Sequence, residues 1–244
     1  AGNVTAFAME MTEKGLHDFG LRFGEKDAYL EIPRMIATKK GIGADLALGV
    51  KALSEKYGGK EFAMQTKGLE FPGYEPRGSW GMGLAYATSI RGACHMQAWP
   101  IAVEAMGDLD PFTSEGKGRL VADMQNENAV KFSAIFCDFW AASTETQARV
   151  LSLVMQKEYT EQDLLETGER IVQLARLFNQ REGFTGEHDT LPERILKDPV
   201  ISGPAEGKIL PREDFEKMLA DYYSARGWDE QGLIPEEKIK ELDL

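Results

Sequence analysis

Positive charge is scarce in this 244-residue chain: 28 Lys and Arg stand against 40 Asp and Glu, for a net charge of -12. A surface of that sign repels a phosphate backbone, which excludes nucleic acid as a partner. No stretch reaches the roughly 18 consecutive apolar residues of a membrane span, so no membrane partner is expected. The opening AGNVTAFAMEMTEKG lacks the basic and apolar regions of a secretory signal. Only two cysteines are present, too few for a disulfide framework, and they predict a reducing, cytoplasmic setting. No CxxC or HxxxH spacing exists, which removes the usual zinc patterns. Alternating strand patterns are nearly missing too; FPGY (71–74) and KILP (208–211) are the weak candidates. The chain does not begin with Met, so a processed product or a piece of something longer is expected.

What is present is helical periodicity. Residues 3–14 put Val4, Phe7, Ala8 and Met11 on one face, with Asn3 as N-cap and Gly15 as a stop. Residues 44–57 repeat the pattern with Leu46, Val50, Leu53 and Tyr57, ended by Gly58 and Gly59. Thr160 and Asp163 form a capping box for a helix to about Arg181, predicted to bury Leu164, Ile171, Leu174, Leu177 and Phe178. Pro211 opens a helix carrying Phe215, Met218, Leu219, Tyr222 and Tyr223, stopped by Gly227, and Pro235 opens a last short one. The expected fold is all-α, in two helical lobes joined near residues 58–72.

One segment breaks the pattern. Residues 73–100, GYEPRGSWGMGLAYATSIRGACHMQAWP, are glycine-rich and deliver Arg91, Cys94 and His95 together. The order Gly81-Met82-Gly83-Leu84-Ala85-Tyr86 fails the dinucleotide fingerprint at its third glycine, and no Walker A ending follows. Gly78, Gly81 and Gly83 are therefore read as permitting tight turns and close helix contacts. By its own neighbours, Cys137 in FSAIFCDFW reads as an inert buried thiol, and Cys94 as packing. The same reasoning makes His95 a core histidine more readily than a catalyst. His17 and His188 sit in polar, turn-like contexts.

A resemblance shifts that balance. YEPRGSWGMGLAYATSIRGACH (74–95) resembles the DPRG-x-x-G-x-GL-x-YATS-x-RGACH signature of the tungsten-containing aldehyde:ferredoxin oxidoreductase family. AGNVTAFAMEMTEKGL (1–16) and GADLALGVKALSEKYGG (43–59) are similar to family blocks in the right order. QREGFTGEHDTLPERIL (180–196) resembles its REG…DxLPxR pattern, and YYSARGWDEQGLIPEEKIKELDL (222–244) its C-terminal ending. The likeness covers essentially the whole chain.

Family membership implies a mononuclear tungsten, or in some members molybdenum, held by two pterins, with a [4Fe–4S] cluster passing electrons to ferredoxin. It implies a β-rich N-terminal domain under two helical ones, with residues 1–65 as the end of helical domain 2 and residues 66–244 as helical domain 3. The expected partners are thus an N-terminal domain of the same polypeptide, ferredoxin, and a second copy of the chain. Three of the four cluster cysteines would lie upstream of residue 1. A cubane cluster takes four ligands, so the chain alone is expected to hold no cluster, tungsten or pterin and to be inactive in isolation. Carried over residue by residue, Cys137 matches the fourth cluster ligand and His95 the histidine facing the metal. Gln97, Ser133 and Phe136 fall at cofactor-binding positions. Two departures stand out: Phe132 replaces a pterin-binding Asp, and Ile135 replaces a Gly. Phenylalanine accepts no hydrogen bond from a pterin N–H. The expected activity is oxidation of an aldehyde to a carboxylic acid. The alternatives are a family member acting on another substrate, such as an aromatic acyl-CoA, and a non-catalytic helical binding module.

Overall fold

The chain, seen in a computed structural model that describes residues 1–105, 107 and 109–244, folds into helices separated by glycine turns. They are α1 (Gly2–Glu13), α2 (Lys26–Thr38), α3 (Gly43–Leu46), α4 (Val50–Tyr57), α5 (Trp80–Thr88), α6 (Ile101–Ala105), α7 (Lys117–Ser133), α8 (Thr144–Met155), α9 (Glu161–Arg181), α10 (Glu193–Lys197), α11 (Arg212–Arg226) and α12 (Glu236–Glu241). Among the described residues the strands are β1 (Gln65–Thr66) and β2 (Leu69–Glu70), paired antiparallel in one small hairpin. The fold is all-α, as the periodicity predicts.

Two main apolar cores form. Val4, Phe7, Met11, Ile32, Leu46, Leu53 and Phe62 pack together from α1–α4 and the turn that follows. Met82, Leu84, Tyr86, Val121, Ile195, Met218, Tyr222 and Trp228 make the second, around α5. A third, small cluster joins Val130, Ala148 and Leu164. Arg194 of α10 pairs with Glu10 of α1 across the two main cores.

Several local expectations need correction. Asn3 lies inside α1, whose N-cap is Ala1; its amide donates to the Phe71 carbonyl at 2.5 Å instead. The helix expected over 44–57 is two, α3 and α4, because Gly49 sits at φ 86 and breaks the run. Neither FPGY nor KILP forms a strand; the hairpin precedes FPGY. Its turn residues Lys67 and Gly68 take φ 52 and 92, the positive values a two-residue hairpin loop needs. The α9 capping box is present, with Thr160 and Asp163 bonding reciprocally. Its buried face, however, runs through Leu164, Gly168, Val172, Gln173 and Arg176, and leaves Leu174 and Phe178 exposed. Polar residues on the inner face hid the true stripe.

Small residues let α7 and α9 approach closely. A Cβ on Gly168 would fall 2.2 Å from the Asn126 backbone oxygen, a distance only backbone movement could relieve. We expect Gly168→Ala to cost about 2 kcal/mol through overpacking. Thermal unfolding should then shift down by roughly 4–8 °C for a chain of this size. An unchanged midpoint would show that the two helices separate freely.

Candidate functional site

Helix α5 is buried along its whole length, and its glycines explain how. A Cβ on Gly81 would meet Glu104 Oε1 at 2.7 Å, and one on Gly83 would meet Leu210 Cδ2 at 2.8 Å. These are the close helix contacts the sequence suggests, not a phosphate cradle. The helix then stops at Thr88, and residues 89–97 form a turn lined with polar groups.

That turn is closed from several directions. Ser89 Oγ donates to Gln97 Oε1 at 2.6 Å, and the Ile90 amide donates to the same oxygen at 3.0 Å. Asn128 of α7 donates to the Met96 carbonyl at 3.0 Å, and Asn179 of α9 to the Ile90 carbonyl at 2.6 Å. Arg91 Nη2 reaches the Cys94 sulfur at 2.9 Å. Cys94 is buried, in line with a packing role. Gly92, at φ 99, has no room for a side chain, since a Cβ would come 2.3 Å from the Thr66 oxygen.

His95 projects from this turn and is half-buried. It lines a cleft of about 360 Å³ with Tyr74, Met96, Trp99, Met124, Glu127 and Phe139. Its ring lies 5.3 Å from that of Tyr74, which in turn meets Trp99 edge-on at 5.8 Å. The Glu127 carboxyl at this cleft is pushed up, first by partial burial and then by Asp123 and Glu161. Asp138 and Phe139, directly after Cys137, form part of the same cleft wall. The structure thus brings His95 and the Cys137 segment together.

Cys137 is exposed, which overturns its reading as an inert buried thiol. The apolar letters around it mislead because they face outward: Ile135 is 91% and Phe139 97% exposed, and Trp140 is exposed as well. Phe136, the residue before the cysteine, packs on Trp140 with ring centroids 5.5 Å apart. Gln97 and Ser133 meet at a second, smaller cavity of about 190 Å³, shared with Phe132 and Asn128. Gln97 uses its amide oxygen within the turn, leaving the NH₂ end for other partners. Asn128 and Asn179, which the sequence reading missed, are helix-borne asparagines whose amides bond loop carbonyls rather than their own helices. Their only prior signal was an unusual residue type in mid-helix.

The donor set permits a limited fit to a metal cofactor. Among the described residues no three His, Cys, Asp or Glu side chains gather to hold an ion. Cys137 is suited to supply one thiolate to a cluster whose other ligands come from outside this set. Phe132 gives the smaller cavity an apolar wall where the resemblance expects a carboxylate.

The described residues thus form an all-α chain with an open cleft lined by His95, next to a segment that carries an exposed thiol. The family model described as aldehyde ferredoxin oxidoreductase, domains 2 and 3, matches residues 1–244, and the chain belongs to that family. It is 38% identical to a tungsten-containing aldehyde ferredoxin oxidoreductase of Pyrococcus horikoshii, over 100% of this chain and 42% of the relative. It is also 28% identical to the WOR-like subunit of an aliphatic sulfonate oxidoreductase of Pyrococcus furiosus, over 100% of this chain and 39% of that protein. Among solved structures, the active-site complex BamBC of a benzoyl-coenzyme A reductase, with 1,5-dienoyl-CoA, matches with a TM-score of 0.72 at 18% identity, covering 99% of this chain and 43% of that one. The chain thus spans less than half the length of the curated relatives it matches. No helix among the described residues is long and apolar enough to cross a membrane.

Ile135 carries an unusual backbone. It closes α7 in a Schellman turn, with the Phe136 amide donating to the Lys131 carbonyl at 3.0 Å and its own amide to the Phe132 carbonyl at 3.1 Å. Its φ of 61 is the left-handed value that glycine adopts freely and a β-branched residue does not. Because its side chain touches little, Ile135→Gly should raise stability by about 1 kcal/mol. Urea unfolding that finds the variant less stable would contradict this strain.

Proposed function

We propose that this chain is the helical cover of a tungsten bis-pterin oxidoreductase that oxidises an aldehyde to a carboxylic acid, with electrons leaving through a [4Fe–4S] cluster to ferredoxin. Residues 1–65 and 66–244 would serve as parts of its second and third domains, a division in keeping with the two main apolar cores. The observation that carries the reading is the exposed Cys137 on the segment that walls the His95 cleft. A thiol built to be inert would be covered; this one faces outward among apolar residues. Such neighbours exclude water from a cluster once a second domain closes over them.

The metal, when bound, supplies the two-electron redox chemistry. His95 provides an imidazole able to hydrogen-bond a substrate oxygen and to take or give a proton. Tyr74 packs against the imidazole and Trp99 against Tyr74, and Met96, Met124 and Phe139 give the cleft apolar wall beside its polar groups Glu127, Asn128, Lys131 and Asp138. Gln97 and Ser133 would offer polar contacts to a pterin, and Phe136, packed on Trp140, an apolar one. A second reading, a family member acting on a substrate other than an aldehyde, is favoured by Phe132, whose ring replaces a hydrogen-bond acceptor at the smaller cavity.

Two variants of the full-length protein test this. His95→Ala should lower aldehyde turnover per tungsten by roughly 10²–10⁴-fold with metal content and melting temperature unchanged. Wild-type turnover per tungsten would remove His95 from the chemistry. Cys137→Ser should abolish or convert the cluster signal in electron paramagnetic resonance. An unaltered spectrum would rule the ligand assignment out.

A further inference from the structure

The hairpin turn between β1 and β2 places a lysine where its backbone alone would favour Asn, Asp or Gly. Lys67 holds φ 52 and turns its side chain inward, leaving it 3% exposed. Burying an ammonium is costly, so its partners show what it is for. Its Nζ lies 2.6 Å from Asp189 Oδ1 and donates to the carbonyls of Ala87 at 2.5 Å and Ser89 at 3.0 Å. All three N–H donors are thereby used. Those carbonyls belong to the last turn of α5 and to the residue that starts the His95 turn, where the helix presents unpaired oxygens and partial negative charge.

Asp189 is itself fixed. Arg176 reaches its Oδ2 at 2.8 Å and Tyr223 donates to the same oxygen at 2.8 Å. Arg176 also donates to the Gly232 carbonyl and stacks on Trp228 at 4.6 Å. Burial, reinforced by Asp189, holds the Tyr223 phenol up, so it remains a donor. Burial pushes the Lys67 ammonium down, and the Asp189 carboxylate opposes that shift. The hairpin is anchored on this loop a second time, through Thr66 Oγ1 and the Thr190 carbonyl at 3.2 Å.

We propose that Lys67, anchored on Asp189, is a positioning residue for His95: it caps the carbonyl end of α5 and so fixes where the 89–97 turn carries the imidazole. This rests on the proposed role of His95, but its structural half can be read independently. Cys94, buried in the same turn next to His95, reports whether the turn is locked. Lys67→Met leaves Asp189 paired with Arg176, so no buried charge is orphaned, while the Ala87 carbonyl loses its donor and the Ser89 carbonyl keeps only the Gly92 amide at 3.4 Å.

In the intact protein, thiol labelling resolved to the Cys94 peptide should proceed about tenfold faster in Lys67→Met than in wild type, through local opening of the turn. Lys67→Arg, which keeps the charge and its donors, should restore protection. Leu53→Ala, in the other core, is the control: it lowers overall stability and should leave Cys94 protected. Lys67→Gln, neutral but polar, gives the same comparison should the methionine variant fold poorly. In the loaded enzyme the methionine variant should lose kcat per tungsten with little change in KM, and the arginine variant should recover it. Equal Cys94 rates in the Lys67 and Leu53 variants would overturn the proposal. If Cys94 opens as expected but His95→Ala keeps full turnover, the locking of the turn stands and the catalytic reading of His95 falls.

Discussion

A helix buried on every side must satisfy both of its polar ends inside the protein, and that constraint organises this fold. At the start of α5 the carboxylate of Glu104 accepts from Ser79 Oγ and from the Gly81 amide at 3.1 Å, and is neutralised by buried Lys117. At its end the ammonium of Lys67 donates to the Ala87 and Ser89 carbonyls and is neutralised by Asp189. The signs match the helix dipole, negative at the amino end and positive at the carboxyl end. Each capping charge is delivered by a different element, α6 at one end and the hairpin at the other. Packing around α5 therefore ties the small hairpin, α6, α7 and the loop before α10 into one body.

That same arrangement explains why the glycines cluster where they do. Gly81 admits the Glu104 carboxylate, Gly83 admits Leu210, and Gly92 admits the hairpin backbone. The cluster that looks like a nucleotide motif is a packing device that allows a helix to be surrounded. Only at its end, in the 89–97 turn, does it deliver reactive side chains to a surface.

Much of this was legible in the letters, and the failures share one cause. The positions of α1, α9 and α11 are legible from apolar spacing together with the Gly15 stop, the Thr160–Asp163 capping box and the Pro211 start with the Gly227 stop. The inner face of α7 carries Lys117 and Gln125, and that of α9 carries Gln173 and Arg176, because these helices bury ion pairs and amide networks along with methyl groups. Gln125, for example, accepts from Tyr222 at 2.6 Å and from Arg226 at 2.7 Å. Apolar periodicity then selects the wrong stripe on α9 and places Leu174 and Phe178 inside. Cys137 fails the same way in reverse: its apolar neighbours read as core from the letters, yet Ile135, Phe139 and Trp140 lie on the outside. The pairing of Lys67 with Asp189 spans more than a hundred residues of sequence, and no local pattern reports it.

The two halves of the candidate site are built on different terms. The His95 turn is locked by Lys67, Asn128, Asn179, Ser89 and Gln97, so its geometry is set by this chain alone. The Cys137 segment is tied mainly by the Lys131–Asp138 ion pair at 2.7 Å and the Phe136–Trp140 contact, with a strained Ile135 at its head. Ile135, Phe139 and Trp140 gather exposed apolar side chains on this lightly anchored segment, which the proposed reading takes as a face for the missing domain. On the proposed reading this is a coherent division: a proton-handling group would need fixed geometry, whereas a shared cluster ligand would take its final position from the other three.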